Sequence, residues 1–257
     1  VNGLLEKLSS RLVLLLILII SVGYGCPRDS EKNIHRDIDI IFQASTITAL
    51  SGGVFEGDLS VGELKKLGDF GLGTFNGLDG EMIELDGRVY QVKDDGVAYP
   101  VKNSMKTPFA AVTFFDTDRR INVRGPLDCG KLENVIDKFL PTKNIFYAIK
   151  VSGLFENLKA RSISEQHEPF PSLAQALKGE TTFELHSING TLVGFRFPTY
   201  VSGLNVPGYH FHFLTDDRKA GGHVIACKAK NVKVDVDYSS QLDIRLPDTE
   251  GFYKFVQ

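Results

Sequence analysis

The sequence predicts an α+β protein built mainly from antiparallel β-sheets, in two closely joined lobes with a few packed helices. Short apolar runs with a period of two recur between turn residues along most of the chain, and only two stretches show helical spacing. No linker-like or low-complexity stretch interrupts the roughly 230 residues that follow the N-terminal segment, so they share one core or two touching lobes.

The N-terminal segment itself, residues 1–25, has the layout of an export signal. Lys7 and Arg11 form a basic region, Leu12 to Val22 is apolar but for Ser21, and small residues follow. A membrane-crossing helix needs roughly 20 apolar residues, so the segment is expected to be cleaved or to serve as an anchor. Cys26 invites acylation as in a lipoprotein, whereas the large Tyr24 occupies a position where such signals carry a small residue, and both outcomes stay open. Either way the expected location is outside the cytoplasm: secreted, periplasmic or lipid-anchored at the surface, with a membrane contact only through an N-terminal lipid.

Beyond it, "EMIELDGRVYQV" predicts a hairpin, because Asp86-Gly87 suits the positive backbone angles of a type I′ turn. "FELHSINGTLVGFRF" predicts a second hairpin about Asn189-Gly190 on the same grounds. "TPFAAVTFF", "NIFYAIKV" and "KNVKVDVDY" predict strands. "GKLENVIDKFL" places Leu132, Val135, Ile136 and Phe139 at helical intervals and stops at Pro141; "SLAQALKG" is a short helix with Ser172 as its cap and Gly179 as its stop. The glycine-rich "GDFGLGTFNGLDGE" lacks the Lys-Ser/Thr of a phosphate-binding loop and predicts a pair of turns.

The net charge of -3, with signs mixed along the chain, argues against a nucleic-acid partner and for a small-molecule substrate. The three cysteines, Cys26, Cys129 and Cys227, are too few for a disulfide framework or a thiolate cluster. A Cys129–Cys227 bridge and two buried free thiols both remain open.

Chemistry concentrates in "YHFHFLTDDRKAGGHV". His210 and His212 leave the same face of a strand, roughly 7 Å apart along the chain. A polar turn then returns His223 at the start of the next strand, behind Gly221 and Gly222, which would let the backbone pass close beneath a metal. Three neutral imidazoles leave a tetrahedral zinc one open position, the arrangement of a catalytic rather than a structural site. Imidazole also suits copper, nickel and iron, and satisfied histidines on a sheet face are the plainer alternative. Taken alone, Glu81 and Arg161 are ordinary charges, and His35, His167 and His186 have no partner pattern.

The ordered blocks "FQASTITALSGGVFEGD", "GDFGLGTFNGLDGEMIELDGRVYQV", "TPFAAVTFF", "LPTKNIFYAIKVSGLFENLKARS" and "TLVGFRFPTYVSGLNVPGYHFHFLTDDRKAGGHV" together resemble α-acetolactate decarboxylases. The resemblance runs through nearly all of residues 26–257. It implies a zinc enzyme of acetoin biosynthesis that turns 2-hydroxy-2-methyl-3-oxobutanoate into acetoin and carbon dioxide, without an organic cofactor. His210, His212 and His223 fall on the family's metal ligands, Glu81 and Arg161 on its catalytic pair, and Thr74 on a residue of the substrate pocket, which Arg161 also lines. The metal would polarise the 3-oxo and 2-hydroxy oxygens while Arg161 holds the carboxylate and Glu81 carries the proton. A homodimer is implied in the same way. The resemblance ends on "IRLP", past which many members continue into a tail that carries a further glutamate to the site; no residue here matches it, Glu250 being near the region but outside the motif. Two rival readings use the same histidines: a zinc-hydroxide hydrolase, and a non-enzymatic metal-binding module, since "HFH" and "GGH" are also similar to blocks of the plant and prokaryote conserved domains.

Overall fold

A computed structural model describes residues 39–256; the N-terminal segment, Cys26 and His35 lie outside the described residues. In chain order the first strands are β1 (Ile40–Ala44), β2 (Leu59–Ser60), β3 (Phe70–Thr74), β4 (Glu81–Leu85), β5 (Arg88–Val92), β6 (Ala98–Pro100), β7 (Lys106–Thr107) and β8 (Ala110–Thr113). They are followed by β9 (Arg119–Asp128), β10 (Phe146–Ser162), β11 (Thr181–Phe197), β12 (Gly208–Thr215), β13 (Gly221–Ser239) and β14 (Gln241–Arg245). Helices are short: α1 (Ile47–Ser51), α2 (Val61–Leu64), α3 (Cys129–Phe139), α4 (Leu173–Ala176) and α5 (Glu250–Lys254).

The two lobes are two sheets. One has seven strands in the order β14-β1-β8-β3-β4-β5-β6, antiparallel except for the β1–β14 pair. In the other, β10, β11, β12 and β13 pair in a closed circuit, with β9 added outside β13. Phe70, Leu72 and Ile83 of the first sheet meet Phe146, Val193 and Phe195 of the second in one buried cluster, so the lobes share a core. A second cluster, with Phe155, Phe213 and Val234, fills the space between the circuit and α3. A third, with Leu64, Met82 and Val112, packs α2 on the outer face of the seven-stranded sheet.

Local chemistry explains the elements. Asp86 and Gly87 adopt φ 52° and 69°, joining β4 to β5 as expected of a type I′ turn. Helix α3 starts where the Asp128 side chain accepts from Lys131 N–H, and it buries Leu132 and Ile136. Ser172 caps α4, and a 3₁₀ turn then ends at Gly179.

Two local expectations are corrected. Asn189-Gly190 is not a turn: β11 runs straight through it, with Asn189 opposite Leu154 and Gly190 opposite Gly153. A Cβ on Gly190 would stand 2.3 Å from the Phe213 ring, so this glycine answers a close approach and not a reversal of the chain. The glycine-rich segment is only partly turns. Gly71 and Gly73 lie inside β3, where a Cβ on either would meet a carbonyl oxygen of the Phe109–Ala111 stretch at 2.3 Å. The reversal comes after them, in Asn76–Leu78, with positive φ at Gly77, Leu78 and Gly80.

Cys129 and Cys227 form a disulfide that ties the first residue of α3 to β13 across 98 residues. Replacing both by alanine is expected to lower stability by roughly 2–4 kcal/mol, read as a fall in thermal or denaturant midpoint against the oxidised wild type.

Glu84 is fully buried on β4 with neither carboxylate oxygen hydrogen-bonded. Burial, with some help from Asp69, pushes its pKa from the ordinary 4.5 up to about 8. The folded state therefore keeps a proton that the unfolded chain releases above its own lower pKa, so stability falls as pH rises through the window from about 4.5 to 8. Glu84→Met is expected to be more stable than wild type at pH 8, on the order of 3 kcal/mol, and to flatten part of that slope in thermal unfolding across pH. Asp237, buried and likewise raised to about 8, adds to the same slope.

Candidate active site and metal centre

Strand register assembles the site. On β12 the alternation sends Phe211 and Phe213 into the core beneath α3, leaving His210 and His212 on the opposite face. His212 stands directly across from His223 on β13, and His223 directly across from Arg161 on β10. Three strands thus carry His212, His223 and Arg161 in one row. Gly221 and Gly222 make this row attainable: a Cβ on Gly221 would lie 2.2 Å from the Phe213 carbonyl, and one on Gly222 2.5 Å from the Arg161 carbonyl. The glycine pair therefore serves a close approach to the backbones of β12 and β10.

On the other sheet, Thr74 of β3 lies opposite Glu81 of β4. The Thr74 hydroxyl donates to the Gly80 carbonyl at 2.7 Å, fixing the turn that delivers Glu81. Two bonds lock the sheets together here. His212 Nδ1 meets the Met82 carbonyl at 2.8 Å, and the Ser162 hydroxyl donates to the Val92 carbonyl at 2.7 Å.

The three imidazoles converge. His223 Nδ1 lies 3.2 Å from His210 Nε2 and 3.2 Å from His212 Nε2. Nitrogen ligands on a tetrahedral ion with bonds near 2.0–2.1 Å stand about 3.3 Å apart, so this spacing matches a metal centre. Chemistry agrees with geometry. His212 Nδ1 can meet a carbonyl only as a donor, which leaves Nε2 of the neutral ring bare. Burial lowers the His210 pKa to about 4, with Arg161 adding to the effect. Burial also holds His212 and His223 well below the ordinary histidine value. All three are therefore neutral at pH 7 and present lone pairs, and the triad could bind a metal.

Glu81 Oε2 is 3.4 Å from His212 Nε2. Burial pushes the Glu81 carboxyl up to about 7, against the lowering effect of Arg161. Arg161 Nη1 donates to Glu180 Oε2 at 2.6 Å, while its Nε is buried without a hydrogen-bond partner. All of these side chains except Glu180 line a cavity of about 340 Å³, together with Thr74. Its remaining wall is largely apolar, with Ile47, Leu50, Leu78, Phe109 and Leu177 among the residues facing it.

The structure thus brings together all six residues singled out in the sequence: Thr74, Glu81, Arg161, His210, His212 and His223. Glu250 is elsewhere, on α5 beside Lys254. His167 is exposed, and His186 pairs with Asn157 outside the cavity. Sequence reasoning missed two contributors. The Met82 carbonyl that fixes a tautomer has no residue-type signal, and Glu180 reaches Arg161 only because β10 and β11 pair with Arg161 opposite Thr182.

Comparison with known proteins agrees with this geometry. A family model described as α-acetolactate decarboxylase matches residues 41–256. The α-acetolactate decarboxylase of Methanosarcina mazei is 46% identical over 230 residues, covering 88% of this chain and 80% of the relative. That of Methylococcus capsulatus is 47% identical over 218 residues, covering 85% and 84%. The crystal structure of α-acetolactate decarboxylase from Bacillus subtilis strain 168 superimposes with a TM-score of 0.83 at 38% identity, covering 84% of this chain and 93% of that one. Matched through both sheets and the whole cavity, the chain belongs to the α-acetolactate decarboxylase family of carboxy-lyases.

Proposed function

We propose that this protein decarboxylates 2-acetolactate to acetoin with the help of a divalent metal, zinc by preference, held by His210, His212 and His223. The observation that carries the reading is the meeting of a neutral histidine triad, a carboxyl with a pKa near 7 and an arginine with an unpaired buried donor on the walls of one small cavity. Family membership supports the substrate, and the cavity's size and mixed lining suit a branched hydroxy-oxo acid.

When bound, the metal would supply positive charge beside the oxygen that turns negative as carbon dioxide leaves. The chain's own residues do the rest. Arg161 binds the substrate carboxylate through the donors that Glu180 leaves free, orienting the carbon–carbon bond that breaks. As that bond breaks, its electron pair moves to the neighbouring carbonyl oxygen and an enediolate is left. Glu81, protonated over part of the population near neutral pH, gives its proton to the carbon that lost carbon dioxide and recovers one from water. The apolar wall limits water around the reacting carbon and so strengthens each of these charge interactions. Thr74 holds the Gly80 carbonyl and with it the start of β4, placing Glu81.

Export is part of the same proposal: the Cys129–Cys227 disulfide supports it, since such bonds persist in oxidising compartments.

Purified protein supplied with acetolactate is expected to release acetoin, to stop when treated with chelator and to recover with added zinc. Acetoin release indifferent to a chelator strong enough to strip the metal would remove the metal from the reaction. His210→Ala is expected to lose bound metal by elemental analysis and turnover with it. Glu81→Gln is expected to keep the metal and lose roughly 10²–10⁴-fold in kcat, the usual contribution of a positioned proton donor. A Glu81→Gln variant with normal acetoin production would assign the proton to another group.

A further inference from the structure

Arg161 is held from behind. Its Nη1 donates to Glu180 Oε2 at 2.6 Å, its Nε is buried without a partner, and the two side chains keep only 21% and 28% of their surface exposed. Glu180 is placed by backbone rather than by chance. Gly179 ends the 3₁₀ turn that follows α4, Glu180 is extended, and β11 begins at the next residue with Thr182 opposite Arg161. The same segment contributes Leu173 and Leu177 to the cavity wall, so the carboxylate belongs to a fixed rim.

This pairing has a specific meaning for a substrate that departs as neutral carbon dioxide. The carboxylate is fully charged in the ground state and loses that charge as its carbon–carbon bond breaks. A cation gripping it at full strength stabilises the ground state more than the transition state and so raises the barrier. An arginine with a carboxylate behind it keeps its directional donors while its net pull is weakened.

We propose that Glu180 is a positioning residue for the decarboxylation. By pairing with Arg161 Nη1 it aims the rest of the guanidinium into the cavity and tempers its hold on the departing carboxylate. The role rests on the decarboxylase reading above and adds to it a residue that touches neither substrate nor metal.

Glu180→Gln tests it, because the amide oxygen still accepts from Arg161 Nη1 while the charge is gone. Two measurements are made on the metal-loaded protein: steady-state kinetics with acetolactate, and calorimetric dissociation constants for 2-hydroxy-2-methylpropanoate and its uncharged amide. The acid lacks the oxo group and so does not react. Relative to wild type, kcat and KM are expected to fall together, on the order of tenfold, with kcat/KM held within about twofold. The carboxylate is expected to bind tighter by a similar factor while the amide is unmoved. A KM that stays or rises, or equal effects on acid and amide, would overturn the proposal, since a merely structural loss produces those patterns. Absence of acetoin from the wild type would instead sink the decarboxylase reading, and the acid–amide pair would still decide whether Glu180 tempers Arg161.

Discussion

Everything at the site depends on how closely three backbones approach one another. β13 lies between β12 and β10 at His223, and it does so only because the two residues before His223 have no side chain to collide with the Phe213 and Arg161 carbonyls. From that packing the row His212–His223–Arg161 follows, because residues directly opposite in antiparallel strands share a face. The convergence of the histidines and the arginine beside them is thus a consequence of one register, set by two glycines.

The second sheet supplies what the first lacks. The bond between His212 and the Met82 carbonyl fixes the tautomer of a histidine and also places β4, whose first residue is Glu81, against the triad. Because both partners are buried, the link is not loosened by competing water, and the carboxyl it positions is lifted toward neutrality by the same burial. The joint between the lobes and the electrostatics of the cavity therefore have one origin. A cavity that raises a carboxyl and keeps three imidazoles neutral would also leave an arginine charge strong, and Glu180 stands where that strength is moderated.

Local rules read the sequence well where the chain answers to its neighbours in sequence. Asp86-Gly87 turns because two successive positive φ angles are required and nothing else opposes them. Asn189-Gly190 carries an equally strong turn signal and is straight, because β10 pairs along the whole of β11 and the Phe213 ring needs the space a side chain would take. Gly71 and Gly73 follow the same logic. A glycine marks a place where the backbone is unusual or crowded, and only the partner strand says which.

By itself, the sequence determined the fold class, two of the helices (α3 and α4, with Ser172 as a cap), the first hairpin, and the residue types able to hold a metal and move a proton. These depend on side-chain periodicity, cap chemistry and ligand identity, all carried by residues close together in the chain. Tertiary structure alone decided that Cys129 and Cys227 are joined, that Glu81 meets a histidine more than a hundred residues away, and that Glu180 backs Arg161. Each of those facts depends on strand register and burial between distant segments, and no local pattern of residues encodes either.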